Sequence, residues 1–207
     1  MIKNLIWDFD GTICNTYPSM VNGIKSALNK LGFDADEEEI LSKAKIMFEV
    51  AFDYYSEKFD LGNKLYETFV ELKKNPQDRP PYEYVIDICK LINSKGGNNI
   101  IITHRAKDST HEILEYYNMT DLFLEIVTAD NNFRRKPDSH AFDYIMDKYK
   151  FNKEETLGIG DRDLDILAAK RAGILTCYFD ELGKEIPTTP DIHIMNFKDL
   201  YEKLKGQ

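Results

Sequence analysis

Asp8 and Asp10 stand one residue apart in Asn4-Leu5-Ile6-Trp7-Asp8-Phe9-Asp10-Gly11-Thr12-Ile13, where an apolar run gives way to a glycine turn. Two carboxylates about 4 Å apart at an effective dielectric near 20 repel by roughly 4 kcal/mol. Beside a buried strand such a pair calls for a cation, and a divalent metal ion is the natural choice. The chemistry then open to it is attack by one carboxylate on an electrophile. Other polar residues follow other short apolar runs. Thr103-His104-Arg105 come after 99–102, Lys136-Pro137 a few residues after 125–128, and Gly160-Asp161, with Asp163 and Asp165, after 157–159. In open α/β sheets ligands bind beyond the carboxyl ends of the strands. Two carboxylate clusters, one hydroxyl and one lysine therefore converge on one edge. Each residue also has a plainer use. Asp8 and Asp10 can shape a turn around Gly11, Thr103 can cap the next helix, and Lys136 can be a surface charge ahead of Pro137. Asp161 can be an N-cap, and Asp163 reads best as an acid in the first turn of a helix.

The elements that would position these groups alternate along the chain. Apolar runs at 5–7, 100–102, 123–127, 157–159 and 175–179 read as strands buried on both faces, with a short sixth over 192–195. Helical patterns lie between them at 82–93, 107–117, 139–149, 163–172 and 197–205. This alternation predicts an α/β fold: a Rossmann-like parallel sheet with helices on both faces. Residues 17–80 break the pattern with helical stripes only: Val21, Ile24, Leu28 and Leu31; Ile40, Leu41 and Ala44; Ile46, Met47, Val50, Ala51, Tyr54 and Tyr55; Leu65, Phe69 and Leu72. Such a stretch is too long for a crossover. It predicts an inserted all-helical cap domain over 17–80, with 1–16 and 81–207 forming the α/β core. The acidic run 34–39 reads as a solvated helix start.

Composition narrows the partners. The 207 residues carry a formal charge of -9, which argues against nucleic acid, whose affinity comes from clustered Lys and Arg. No apolar run approaches the roughly 18 residues that span a bilayer. The N-terminus shows no leader pattern, so the chain is expected to begin at Met1 in the cytoplasm. Cys14, Cys89 and Cys177 are expected as reduced thiols, with Cys14 buried in packing, and the four histidines lack zinc-ligand spacing.

The order and spacing of the strand-end residues resemble the haloacid dehalogenase superfamily over nearly the whole chain. Its four motifs correspond to Asp8-Phe9-Asp10-Gly11-Thr12, Thr103, Lys136 and Gly160-Asp161-Arg162-Asp163-Leu164-Asp165. The helical insertion resembles the cap of the subfamily that includes phosphoglycolate phosphatase and β-phosphoglucomutase. The resemblance implies Asp8 as nucleophile and Asp10 as the acid and base that moves protons. It implies backbone N–H groups of Phe9, Asp10 and Gly11 on the phosphoryl oxygens, with Thr103 and Lys136 holding the transferring group and His104 and Arg105 lining its pocket. Mg²⁺ would be held by Asp8, Asp161 and the carbonyl of Asp10, while Asp165 supports either a metal-bound water or Lys136. Asp10 favours phosphoryl transfer over dehalogenation, because a halide leaving group needs no acid. The implied activity is hydrolysis of a small phosphate ester, phosphoglycolate by family analogy, through an aspartyl-phosphate. Cap hinges are expected near 16–19 and 77–81. The alternatives are a phosphosugar mutase of the β-phosphoglucomutase type and a catalytically silent phosphate- or protein-binding module. Two departures from the family pattern are Asn15-Thr16 after motif one and Lys136-Pro137-Asp138-Ser139 in place of Lys-Pro-x-Pro.

Overall fold

The computed structural model describes residues 1–72, 75–181, 183 and 186–207. Strands β1 (Asn4–Trp7), β2 (Asn98–Ile102), β3 (Glu125–Val127), β4 (Thr156–Gly160), β5 (Leu175–Phe179) and β6 (Ile192–Ile194) form one parallel sheet. Their order is β3-β2-β1-β4-β5-β6, so the direction of winding reverses between β1 and β4. That reversal is the switch point where such sheets open a crevice at their carboxyl edge. Register aligns the strand ends there: Trp7 lies opposite Ile101 on β2 and Ile159 on β4.

Alternation along each strand divides the core into two layers. Leu5 and Trp7 of β1 pack with α5 (Val85–Ser94), α6 (Lys107–Tyr116) and α9 (Phe197–Lys205), through residues such as Ile88, Ile113 and Leu200. Ile6 faces the other way, toward α7 (His140–Tyr149) and α8 (Asp163–Ala172), among Phe142, Ile145, Ala168 and Ala169. Gly158 permits this second layer to close. A Cβ there would lie 2.6 Å from the Ala169 Cβ. Trp7 is wholly buried, and its indole N–H donates to Asn99 Oδ1 at 3.1 Å. The expected helix over 82–93 begins only at Val85, because Tyr84 takes left-handed backbone at φ +67°. Cys14, Cys89 and Cys177 are buried, and none of them forms a disulfide among the described residues. No helix among the described residues is long and apolar enough to cross a membrane.

Contacts divide the chain into two compact units, Met1–Asn15 with Pro81–Gln207, and Thr16–Pro80. The second contains α1 (Tyr17–Lys30), α2 (Glu37–Ile46), α3 (Phe48–Lys58) and α4 (Lys64–Glu71) around Ile24, Leu28, Ile40, Ala51, Tyr55, Leu65 and Phe69. The stripe from Ile46 to Tyr55 is not one helix. Met47 is extended at φ -157° and ψ 151°, and Ile46 ends α2 at 56% exposure. The apolar face of α3 is instead Ala51, Phe52 and Tyr55. The acidic run does start a helix, with the Asp36 carboxylate accepting from Glu39 N at 2.9 Å.

Glu39 ties α2 to α3. Its carboxylate accepts from the hydroxyls of Tyr54 and Tyr55 at 2.6 and 2.9 Å and from Lys58 at 3.1 Å. Hydrogen bonds from Tyr54, Lys58 and Tyr55 draw its pKa from 4.5 to about 2. A lowered carboxyl pKa stabilises the fold above the unfolded value and ceases to do so as pH falls through the folded one. Glu39→Gln should therefore lower Tm at neutral pH. The gap from wild type should narrow as pH drops from 4.5 toward 2, as followed by thermal scans across that range.

Candidate active site

β1 ends at Trp7, and Asp8 extends the sheet by one rung, its N–H donating to Ile159 O of β4 at 2.8 Å. The chain then curls sharply. The Phe9 carbonyl accepts from the N–H groups of Thr12, Ile13 and Cys14, and Gly11, at φ +81°, donates to Cys14 O at 2.8 Å. Gly11 thus contributes the turn itself, and its N–H, expected on a phosphoryl oxygen, is taken up within the loop. The Phe9 ring is buried in the core.

Lys136 reaches this turn from the segment before α7. Its ammonium lies 2.7 Å from Asp8 Oδ1 and 2.8 Å from Asp165 Oδ1, with all three side chains almost wholly buried. Burial pulls the lysine pKa down, but the charges of Asp165 and Asp8 outweigh it and the net shift is upward. Burial and the neighbouring Asp165 charge push Asp8 up to about 6, against the pull of Lys136 and Arg162. Asp165 feels the same burial, yet Lys136 and Arg162 hold its pKa below the usual carboxylate range. His104 is pushed down to about 4, by burial first and then by Lys136 and Arg162. It is neutral, and its Nε2 accepts from the Lys136 backbone N–H at 2.9 Å, which fixes the lysine's starting point.

β4 delivers the second carboxylate group. Asp161 follows Gly160 directly and accepts from the Thr12 hydroxyl at 3.4 Å. One oxygen each from Asp8, Asp161 and Asp165 fall within 4.8 Å of one another. Gly160 makes that possible, since a Cβ on it would sit 2.8 Å from the Asp165 Cγ. Asp8 Oδ2 is buried and accepts no hydrogen bond among the described residues. Three carboxylates with an orphaned oxygen form an oxygen-only donor set, which fits a hard divalent cation.

Asp8, Lys136, Asp161 and Asp165 thus come together as the sequence suggests. Asp10 takes a different partner: its Oδ1 lies 2.8 Å from Arg105 Nη1, and it is not among the three clustered carboxylates. Thr103, buried at the end of β2, accepts from Arg105 N at 3.1 Å and keeps its hydroxyl proton as a donor. Asp163 turns to the Thr188 N–H at 2.8 Å. Sequence reasoning missed Arg162, whose guanidinium stands 3.4–3.8 Å from all three clustered carboxylates. The signal was there as an arginine where a helix start favours a small polar cap.

A family model described as haloacid dehalogenase-like hydrolase matches residues 5–179. Phosphoglycolate phosphatase of Vibrio parahaemolyticus is 25% identical over 185 residues, covering 83% of this chain and 81% of its own. A pyrophosphatase of Halalkalibacterium halodurans is 24% identical, covering 84% and 82%. The crystal structure of a hydrolase from Streptococcus pneumoniae superposes with a TM-score of 0.65 at 26% identity, covering 99% and 98%.

Removing Lys136 leaves two buried carboxylates without their shared cation. Lys136→Met should cost roughly 3 kcal/mol in urea unfolding, the usual scale for breaking a buried ion pair. Adding Asp165→Asn should recover part of that loss. If the double variant is no more stable than the single one, the shared-charge account of this contact fails.

Proposed function

The chain belongs to the haloacid dehalogenase-like hydrolase family, and on that footing we propose that it is a Mg²⁺-dependent phosphatase acting on a small phosphate ester through an aspartyl-phosphate on Asp8. The observation that carries this reading is the buried Lys136 bridge, whose ammonium clamps Asp8 and Asp165 beside Asp161. A buried lysine held between two carboxylates is placed to follow negative charge onto a phosphoryl group as it transfers.

In the first half-reaction an Asp8 oxygen bonds to phosphorus as the bond from phosphorus to the alcohol oxygen breaks. Asp10 delivers a proton to the departing oxygen. In the second half, Asp10 takes a proton from water as the water attacks phosphorus. The Asp8–phosphorus bond then breaks, restoring the carboxylate and releasing phosphate. Lys136 and the Thr103 hydroxyl hold the phosphoryl oxygens, with the backbone N–H groups of Phe9 and Asp10. Arg105 holds Asp10 apart from the Asp8 cluster, so the proton carrier and the nucleophile have separate counter-charges. Asp8, Asp161 and the Asp10 carbonyl would hold the metal ion, which supplies positive charge to the transferring group.

The named relatives make 2-phosphoglycolate the first substrate to test and pyrophosphate the second. Purified protein with Mg²⁺ should turn over p-nitrophenyl phosphate, and a metabolite panel ranked by kcat/KM should place a small carboxylated ester at the top. EDTA should abolish turnover. Asp8→Asn should lower kcat by on the order of 10³-fold or more, the scale seen when a nucleophile is removed. Asp10→Asn should still accept phosphate covalently but release it slowly. Full turnover by Asp8→Asn would remove the nucleophile from this assignment, and inactivity of wild type across the panel would favour a silent binding module.

A further inference from the structure

Arg162 occupies the residue that opens α8, a position where its type is unfavourable. Helix starts favour Ser, Thr, Asn or Asp, whose side chains accept from the first N–H groups. The positive end of the helix dipole also disfavours a cation there. Arg162 has extended backbone and makes no side-chain capping bond. Its guanidinium is directed at the carboxylates instead, 3.7 Å from Asp8 Oδ1, 3.8 Å from Asp161 Oδ1 and 3.4 Å from Asp165 Oδ2, and the side chain is 14% exposed.

Those separations distinguish it from Lys136. Charge-assisted hydrogen bonds run at about 2.7–2.9 Å, which Lys136 meets at 2.7 and 2.8 Å and Arg162 does not. The lysine is bonded to two defined oxygens, whereas the arginine sets one charge within 3.4–3.8 Å of all three carboxylates. The charge balance shows what it adds. Three carboxylates against Lys136 leave two negative charges, the amount one divalent ion neutralises, and Arg162 already cancels one of them.

We propose that Arg162 is a built-in counter-cation that sets the affinity of this cluster for divalent metal. It holds Asp8, Asp161 and Asp165 together when no metal is bound, and it opposes the metal by like-charge repulsion. The proposal rests on the cluster being a metal site, as inferred above, and not on the nucleophilic role of Asp8. It also accounts for an arginine displacing a capping residue at the start of α8.

The test is Mg²⁺ titration of the full chain by calorimetry, with thermal scans in EDTA and in saturating Mg²⁺. Wild type, Arg162→Gln and Arg162→Lys are compared, with Arg162→Ser, which supplies a capping hydroxyl, as the substitute should the glutamine variant fail to fold. Arg162→Gln should bind Mg²⁺ about tenfold more tightly or better, from the loss of a nearby like charge. Its Tm in EDTA should fall below wild type, and its gain on adding Mg²⁺ should exceed the wild-type gain. Arg162→Lys, which keeps the charge, should remain close to wild type on both measures. Equal or weaker Mg²⁺ binding by the neutral variants overturns the proposal while leaving the metal site standing. Absence of Mg²⁺ binding in wild type and neutral variants alike overturns the metal site and this proposal with it.

Discussion

The ammonium of Lys136, clamped between Asp8 and Asp165 with almost no solvent access, constrains everything around it. Each buried charge carries a desolvation cost of several kcal/mol, recovered only if the geometry is held closely. The fold supplies that geometry from three directions. β1 and β4 are neighbours, so Asp8 meets the end of β4 at one rung of the sheet, just ahead of Asp161. Gly160 has no Cβ, so Asp165 can lie against the strand end. The neutral imidazole of His104 accepts from the backbone of Lys136 and anchors the residue that must reach inward. His104, expected by resemblance to line the phosphoryl pocket, has its Nε2 occupied by this backbone contact.

Two aspartates that are chemically alike become unlike through their partners. Asp8 is desolvated, held on one oxygen by Lys136, and left with a second oxygen that accepts no hydrogen bond among the described residues. Asp10, two residues on, is drawn by Arg105 to the other side of a turn built on the Phe9 carbonyl. The turn is what separates them. Three N–H groups converge on one carbonyl, and Gly11 takes the positive φ that a side chain would resist.

The legible parts of this fold were those governed by local pattern. α8 and α9 have the bounds expected from their apolar spacing, and the carboxylates at strand ends reveal themselves by residue type alone. The misread places are those where tertiary packing overrides periodicity. Ile46 to Tyr55 carries one helical stripe, yet Met47 turns extended so that α2 and α3 can each present a face to the helical unit's core. Tyr84 adopts left-handed backbone that no propensity would assign to a tyrosine. The destinations of Arg105 and Arg162 were hidden for a related reason. A guanidinium reaches several ångströms from its Cα, so its partners are set by which strands are neighbours rather than by its place in the chain.

The two passages between the units leave the core side by side. Cys14 bridges Pro81 in antiparallel fashion, and the Tyr82 N–H donates to Ile13 O at 2.9 Å. An insertion of 65 residues therefore departs and returns through a gap no wider than a pair of strands. For the sheet this is equivalent to a short surface loop, the kind of site at which whole domains are gained, lost or exchanged with least disturbance. The α/β unit and the inserted helical unit can thus vary on separate schedules. One scaffold can carry many different insertions without altering the carboxylates at its strand ends.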